Sequence, residues 1–147
     1  LRKDIFVIEK INRKNMRKII NTPNAPAPIG PYNQAVITGD ILYISGQIAL
    51  IPGSGELANA DIREETHQVM KNLHAILTAA GMDFSHVVKT TIFLSDMSLF
   101  TSVNEIYGSY FTSDLPAGQS SYPARETVAV KGLPKNVNVE ISMIATT

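Results

Sequence analysis

Residues 61–81, DIREETHQVMKNLHAILTAAG, constrain the fold more than any other stretch of this chain. Asp61 and Glu64 stand at capping-box spacing, and Ile62, Thr66, Val69, Leu73, Ile76 or Leu77, and Ala80 recur at helical spacing. Gly81 supplies the terminating residue, because glycine enters the left-handed conformation without a Cβ clash. A helix with one apolar stripe is stable when that stripe is covered. The cover must come from the β-rich segments on either side, which points to helices packed on a sheet.

Those segments fall in a definite order. RKII (17–20) forms a short first strand. TPNAPAPIGPY follows, and Pro23, Pro26, Pro28 and Pro31 exclude both helix and central strand, leaving an extended loop that positions Tyr32. AVIT and ILYIS, joined by Gly39-Asp40, form a tight hairpin, and PGSGE (52–56) is a loop. HVVKTTIFLSD (86–96) is β-branched and aromatic, hence a strand. Asp96 or Ser98 caps a second helix over 98–112, with Leu99, Val103, Ile106 or Tyr107, and Tyr110 on one stripe. Two last strands, 124–130 and 137–145, are joined by KGLPKN. The sum is an α+β domain, β-β-β-α-β-α-β-β, with a single mixed sheet and two helices on one face. The other face must be solvated or covered by another subunit.

A chain of 147 residues, 44% of them hydrophobic, suits one domain with a real core. It has no cysteine, so disulfides, thiolate nucleophiles and cysteine-ligated metals are excluded, and a reducing cytoplasm is compatible. No apolar run approaches the roughly 18 residues that span a bilayer. Residues 1–15 carry five basic and two acidic side chains, and Met16 opens what resembles a natural start. We expect 1–15 to be an appended tail or N-terminal extension and 16–147 to be the folded domain. Residues 16–147 hold eight Lys and Arg against eleven Asp and Glu, which argues against a nucleic-acid platform.

Arg125 lies within a strand directly after Pro123-Ala124, where solubility alone would not call for arginine. If KGLPKN closes an antiparallel hairpin about Leu133 and Pro134, Thr127 faces Glu140 and Arg125 faces Ser142. Arg125 and Glu140 are then diagonal neighbours, about 7–8 Å apart at the backbone, on the face away from the helices. Such a pair is either an exposed ion pair worth about 0–1 kcal/mol or the polar centre of a site. Other candidates are weaker. His67 and His74 lie seven apart and lack the spacing of four that helical metal sites prefer, with His86 opening the next strand. Ser54 lacks a nucleophile elbow, and the glycine pairs lack the Lys-Ser/Thr of phosphate loops. Tyr32 is either a lid on the core or a site residue.

APIGPYNQAV, LYISGQI, VVKTTIFLSDMSLFTSVNEIYGSYF, YPARETVAV and LPKNVNVEI, taken together, resemble the RidA/YjgF family of reactive enamine/imine deaminases. The likeness runs over essentially all of 16–147. It implies a chorismate-mutase-like fold, assembled as a homotrimer with clefts between subunits. It also implies that Arg125 binds a substrate carboxylate, that Glu140 positions a water, and that Tyr32, Ser45 and Gly46 shape the cleft. Many members carry cysteine where this chain has Thr127, which we expect to act in substrate binding. The implied substrates are 2-imino or 2-enamino acids such as 2-aminoacrylate, the products 2-oxo acids and ammonia, with no cofactor and no metal. Two other activities stay open on the same likeness. One is a trimer that binds small carboxylates and regulates a partner; the other is a ribonuclease or translation inhibitor.

Overall fold

The computed structural model describes residues 17–111 and 115–147. The proposed tail therefore lies outside the described residues, as does residue 112, the expected end of the second helix. The strands are β1 (Lys18–Ile20), β2 (Ala35–Thr38), β3 (Ile41–Gln47), β4 (Val87–Leu94), β5 (Ala124–Ala129) and β6 (Val139–Thr146). The helices are α1 (Ile62–Ala79), between β3 and β4, and α2 (Phe100–Gly108), between β4 and β5. All six strands form one mixed sheet in the order β1-β2-β3-β6-β4-β5. Only β4 and β5 pair in parallel. The expected α+β order and class hold.

Local chemistry explains the elements. The Asp61 carboxylate accepts the backbone N–H groups of Arg63 and Glu64 at 2.8 Å, satisfying donors that a helix start leaves orphaned. Glu64 reaches back as the spacing predicts, but to the N–H of Ala60 at 2.9 Å rather than to that of Asp61. Gly81 has φ +74° and ends the helix as expected. α2 is shorter than its apolar stripe suggests: Asp96 caps a 3₁₀ turn over Met97–Leu99, and the α-helix proper begins at Phe100. α1 buries Val69, Met70, Leu73, Ile76 and Leu77 completely against Leu42, Ile44, Ile92, Leu94, Val139, Ile141 and Met143 of the sheet. Among the described residues no helix is long and apolar enough to cross a membrane.

The expected hairpin between the last two strands does not form. β6 inserts between β3 and β4, and β5 lies outside β4 as the edge strand. The connection from β5 arcs over the end of β4, where Val130 N–H bonds Leu94 O at 2.8 Å and Ser95 N–H bonds Asn138 O at 2.9 Å. Burial explains the order. Every second residue of β6 is buried from Val139 to Ala145, so this strand belongs in the interior of the sheet, whereas β5 buries no residue fully and suits an edge. The parity of β5 is as expected, but its faces are reversed. Arg125 pairs with Thr90, which pairs with buried Met143, so Arg125 and Thr127 point toward the helices. Val128 pairs with Phe93, which pairs with Glu140, so Val128 and Glu140 share the open face.

Candidate active site

Glu140 lines one of two candidate pockets. It projects from β6 into a cavity of about 280 Å³ whose walls include Tyr32, Ser45, Gly46, Ile48, Leu50 and Pro134. Among the described residues its carboxylate meets no hydrogen-bond donor, and burial holds its pKa above the ordinary carboxylate value. A carboxylate left in this condition is a better base than a solvated one. It packs directly on Gly46: a Cβ at that position would lie 2.9 Å from the Glu140 carboxyl carbon and 3.0 Å from its Cγ. The S-G pair of the sequence is therefore read differently for its two members. Gly46 makes room for Glu140, while Ser45 braces the loop by donating its hydroxyl proton to Asn33 O at 2.6 Å.

The proline-rich loop is held over this cavity by Gln34, which is almost completely buried. Its Oε1 accepts Thr22 N–H at 2.7 Å, and its Nε2 faces the carbonyls of Thr22, Ala25 and Pro26 at 2.9 to 3.2 Å. A segment with four prolines has few backbone donors of its own, so one side-chain amide organises its carbonyls. Tyr32 is thereby placed in the cavity wall, with its hydroxyl accepting Ile29 N–H at 3.2 Å and its own proton left to donate. Tyr32 is 45% exposed and stands in the cavity wall, not buried over the core.

Arg125 lies in the second candidate pocket, a different concavity of about 630 Å³ lined by Asn104, Tyr107, Gly108, Tyr122 and Pro123. Its guanidinium carbon sits 5.1 Å from the Tyr107 ring centroid and 5.7 Å from that of Phe100, and its Nη1 donates to Asn104 Oδ1 at 2.8 Å. Tyr107 is itself fixed by donating to Thr90 Oγ1 at 3.1 Å, and burial raises its pKa above the usual tyrosine value. An arginine stacked on two rings and tied at one nitrogen keeps its remaining N–H groups oriented for a planar anion. Asn104, Tyr107 and Phe100 were not singled out from sequence. Their signal was weak: Phe100, Asn104 and Tyr107 follow helical spacing on α2, but only the parallel β4–β5 pairing turns that face toward Arg125.

The expected juxtaposition of Arg125 and Glu140 within one chain is thus corrected. β4 separates them, and they occupy opposite faces of the sheet. Thr127 does not stand beside Glu140 either; it pairs with Ile92, and its Oγ1 is buried with no hydrogen-bond partner among the described residues. The histidines lie elsewhere. His67 Nδ1 contacts Tyr110 Oη at 2.9 Å, His74 stacks on Phe84, and His86 Nδ1 lies 3.0 Å from Asp83 Oδ1.

A profile of the family described as Endoribonuclease L-PSP matches residues 22–147. The chain belongs to the RidA/YjgF family. Among its relatives, the Mus musculus protein named 2-iminobutanoate/2-iminopropanoate deaminase is 51% identical over 130 residues, spanning 88% of this chain and 91% of the mouse protein. The crystal structure of the E. coli YjgF gene product is 43% identical, with a TM-score of 0.79 over 88% of this chain and 98% of that one. E. coli TdcF with bound serine is 39% identical, with a TM-score of 0.81 over 88% and 98% of the two chains. The range matched by the family profile includes Tyr32, Gly46, Arg125 and Glu140.

Proposed function

We propose that this RidA-family chain is a 2-iminobutanoate/2-iminopropanoate-type deaminase, hydrolysing reactive 2-imino and 2-enamino acids such as 2-aminoacrylate to 2-oxo acids and ammonia. The observation that carries the reading is the desolvated Glu140 carboxylate, packed on Gly46 and without a hydrogen-bond donor among the described residues, in a chain 51% identical to a mouse deaminase of that name. Arg125 takes the substrate carboxylate. Its planar fork matches two oxygens and so sets orientation as well as charge. Thr127 lies two residues along the same face, its hydroxyl buried and without a hydrogen-bond partner among the described residues.

With the carboxylate held, the imine carbon is presented to a water on Glu140. Glu140 takes one proton as the water oxygen bonds the imine carbon, and passes it to nitrogen, giving a carbinolamine. It then takes the hydroxyl proton and returns it to nitrogen as the C–N bond breaks, releasing ammonia and leaving the carbonyl. An enamine substrate enters the same sequence after a proton shift to its imine. Positioning of this kind accounts for several kcal/mol of barrier lowering, and no cofactor is required.

The two halves lie on opposite faces of one chain, so the reading includes a homotrimer whose clefts take Arg125 from one subunit and Glu140, Tyr32 and Gly46 from the next. The open face of the sheet supports this, since Ile19, Tyr43 and Val128 stand about half exposed on it. We assign the activity to the cytoplasm, a reducing setting compatible with a cysteine-free chain. The ribonuclease activity in the family's description has less support, because residues 16–147 are net acidic.

The test is imine hydrolysis in an assay coupled to a threonine or serine dehydratase. Wild type accelerates 2-oxo acid formation and Arg125→Ala does not; an Arg125→Ala variant with the wild-type rate refutes the assignment. A second reading, a binding protein for small carboxylates, is favoured by the serine held in E. coli TdcF. It predicts ligand binding by wild type with no acceleration in the same assay.

A further inference from the structure

α1 carries three completely buried polar residues, and two of them, Glu65 and Asn72, lie seven residues apart and therefore two turns along one face. A buried carboxylate is costly unless its oxygens are satisfied, and an apolar residue would fill the same space without that demand. Glu65 is satisfied in one place only. Its Oε1 accepts the backbone N–H of Asn138 at 2.6 Å and of Val139 at 3.2 Å, and its Oε2 accepts Asn138 Nδ2 at 3.0 Å. These are the two residues immediately before Glu140.

The chain needs holding at this point. It reaches β6 through Lys135 and Asn136, both at φ 55°, a left-handed conformation that non-glycine residues adopt only when the surroundings impose it. Asn138 is also gripped from the other side: its carbonyl accepts Ser95 N–H and its Oδ1 accepts the Ser95 hydroxyl, each at 2.9 Å. Two turns along α1, Asn72 Nδ2 donates to Ile48 O at 3.1 Å and to Leu50 O at 2.9 Å. Ile48 and Leu50 line the Glu140 cavity, as does Pro134. One helix face therefore ties down two walls of the cavity, the strand that bears Glu140 and the segment that follows β3.

We propose that Glu65 is a positioning residue for the deamination. It fixes the backbone at 138–139 and so holds the Glu140 carboxylate where it meets the attacking water, with Asn72 setting the facing wall. This rests on the assignment of Glu140 as the water-activating base. It separates from a purely structural role because it predicts a loss of turnover in protein that is still folded, without loss of substrate binding, since Arg125 lies beyond β4 on the other face.

Glu65→Asp, Glu65→Gln and Glu140→Gln are compared in the coupled imine-hydrolysis assay. Aspartate is one methylene short, so both backbone bonds persist only if β6 is drawn toward α1, and kcat falls about tenfold or more while KM stays unchanged. Glutamine keeps an oxygen where Oε1 accepts both N–H groups, while its Nε2 replaces the oxygen that accepts Asn138 Nδ2. The Asn138 amide therefore turns over to present Oδ1, with Nδ2 then donating to the Ser95 hydroxyl, and kcat returns close to wild type. Wild-type kcat in folded Glu65→Asp, or a loss in Glu65→Gln as large as that in Glu65→Asp, overturns the proposal. If Glu65→Asp does not fold, Glu65→Met, which fills the space but offers no acceptor to the 138–139 backbone, takes its place; lowered kcat at constant KM in the folded variant supports the proposal and unchanged kcat overturns it. Full activity in Glu140→Gln instead refutes the underlying assignment of the base, whatever the Glu65 variants do.

Discussion

Replacing Gly46 by alanine puts one methyl group where the Glu140 carboxylate now lies. Gly46 is not among the glycines with positive φ, so its backbone accepts an L-residue and any effect comes from the methyl itself. The new Cβ would stand 2.9 Å from the carboxyl carbon of Glu140 and 3.0 Å from its Cγ. Carbon atoms in comfortable contact are about 3.5–4.0 Å apart, so the carboxyl carbon must retreat by about 0.6 Å or more, and its oxygens further. The obstacle is the far end of a flexible side chain, which swings aside at little cost. Fewer conformations of the unfolded chain offset part of that cost, and stability should change by less than about 1 kcal/mol. Catalysis should be less forgiving, since a misplacement near 1 Å costs up to about 10²-fold. We therefore expect Gly46→Ala to lower kcat by about tenfold to a hundredfold, with KM and melting temperature nearly unchanged. The coupled deaminase assay and a thermal melt measure both. Wild-type kcat in Gly46→Ala would refute the reasoning, because the carboxylate would then have no need of the place that glycine keeps for it.

Glu140→Gln should abolish most turnover and also raise stability at neutral pH. Burial raises the carboxyl pKa in the folded state, so the stability of wild type relative to this variant is full below the ordinary carboxylate pKa and is lost as pH rises through the folded value. The gain in melting temperature should be present at pH 8 and absent at pH 3; an equal shift at both contradicts the assignment. Thr127→Val removes a buried hydroxyl that has no partner among the described residues, so urea denaturation should show unchanged or slightly higher stability, by up to about 1 kcal/mol. A clear loss of stability would mean that the hydroxyl serves the fold. Mixing inactive Arg125→Ala and Glu140→Gln subunits by refolding them together should restore about a quarter of wild-type activity, because that share of clefts in a randomly assembled cyclic trimer draws both intact residues from different chains. No recovery would place the two residues in separate sites.

Much of the fold was legible because much of it is decided locally. Asp61 and Gly81 delimit α1 by capping chemistry, Gly39-Asp40 closes the β2–β3 hairpin, and the β-branched run at 87–94 is a strand in any context. The chemistry-bearing side chains, Arg125, Glu140 and Tyr32, could be named for the same reason: their types are unusual for where they stand. Their arrangement was not legible. The six-residue link KGLPKN suggested adjacent strands, but the competition for interior positions in the sheet is global, and β6 with its alternating buried face outcompetes β5 for a place beside β4. That single exchange moves Arg125 to the helix side and parts an apparent ion pair into two separate pockets.

The buried polar residues give the same lesson. Nothing in IREETHQVMKN distinguishes Glu65, which is fully buried, from Glu64 beside it, which caps the helix in solvent. The difference lies in Asn138 and Val139, more than seventy residues away, whose N–H groups reach Glu65 only after the sheet has formed. By itself the sequence determined the elements, the family and which chemistry-bearing side chains the chain has to place, because caps, turns, periodicity and residue type act over a few positions. Strand order, the face on which each side chain emerges, the Glu140–Gly46 contact and the division of the site were decided by tertiary structure, because each depends on which distant segments win the same space.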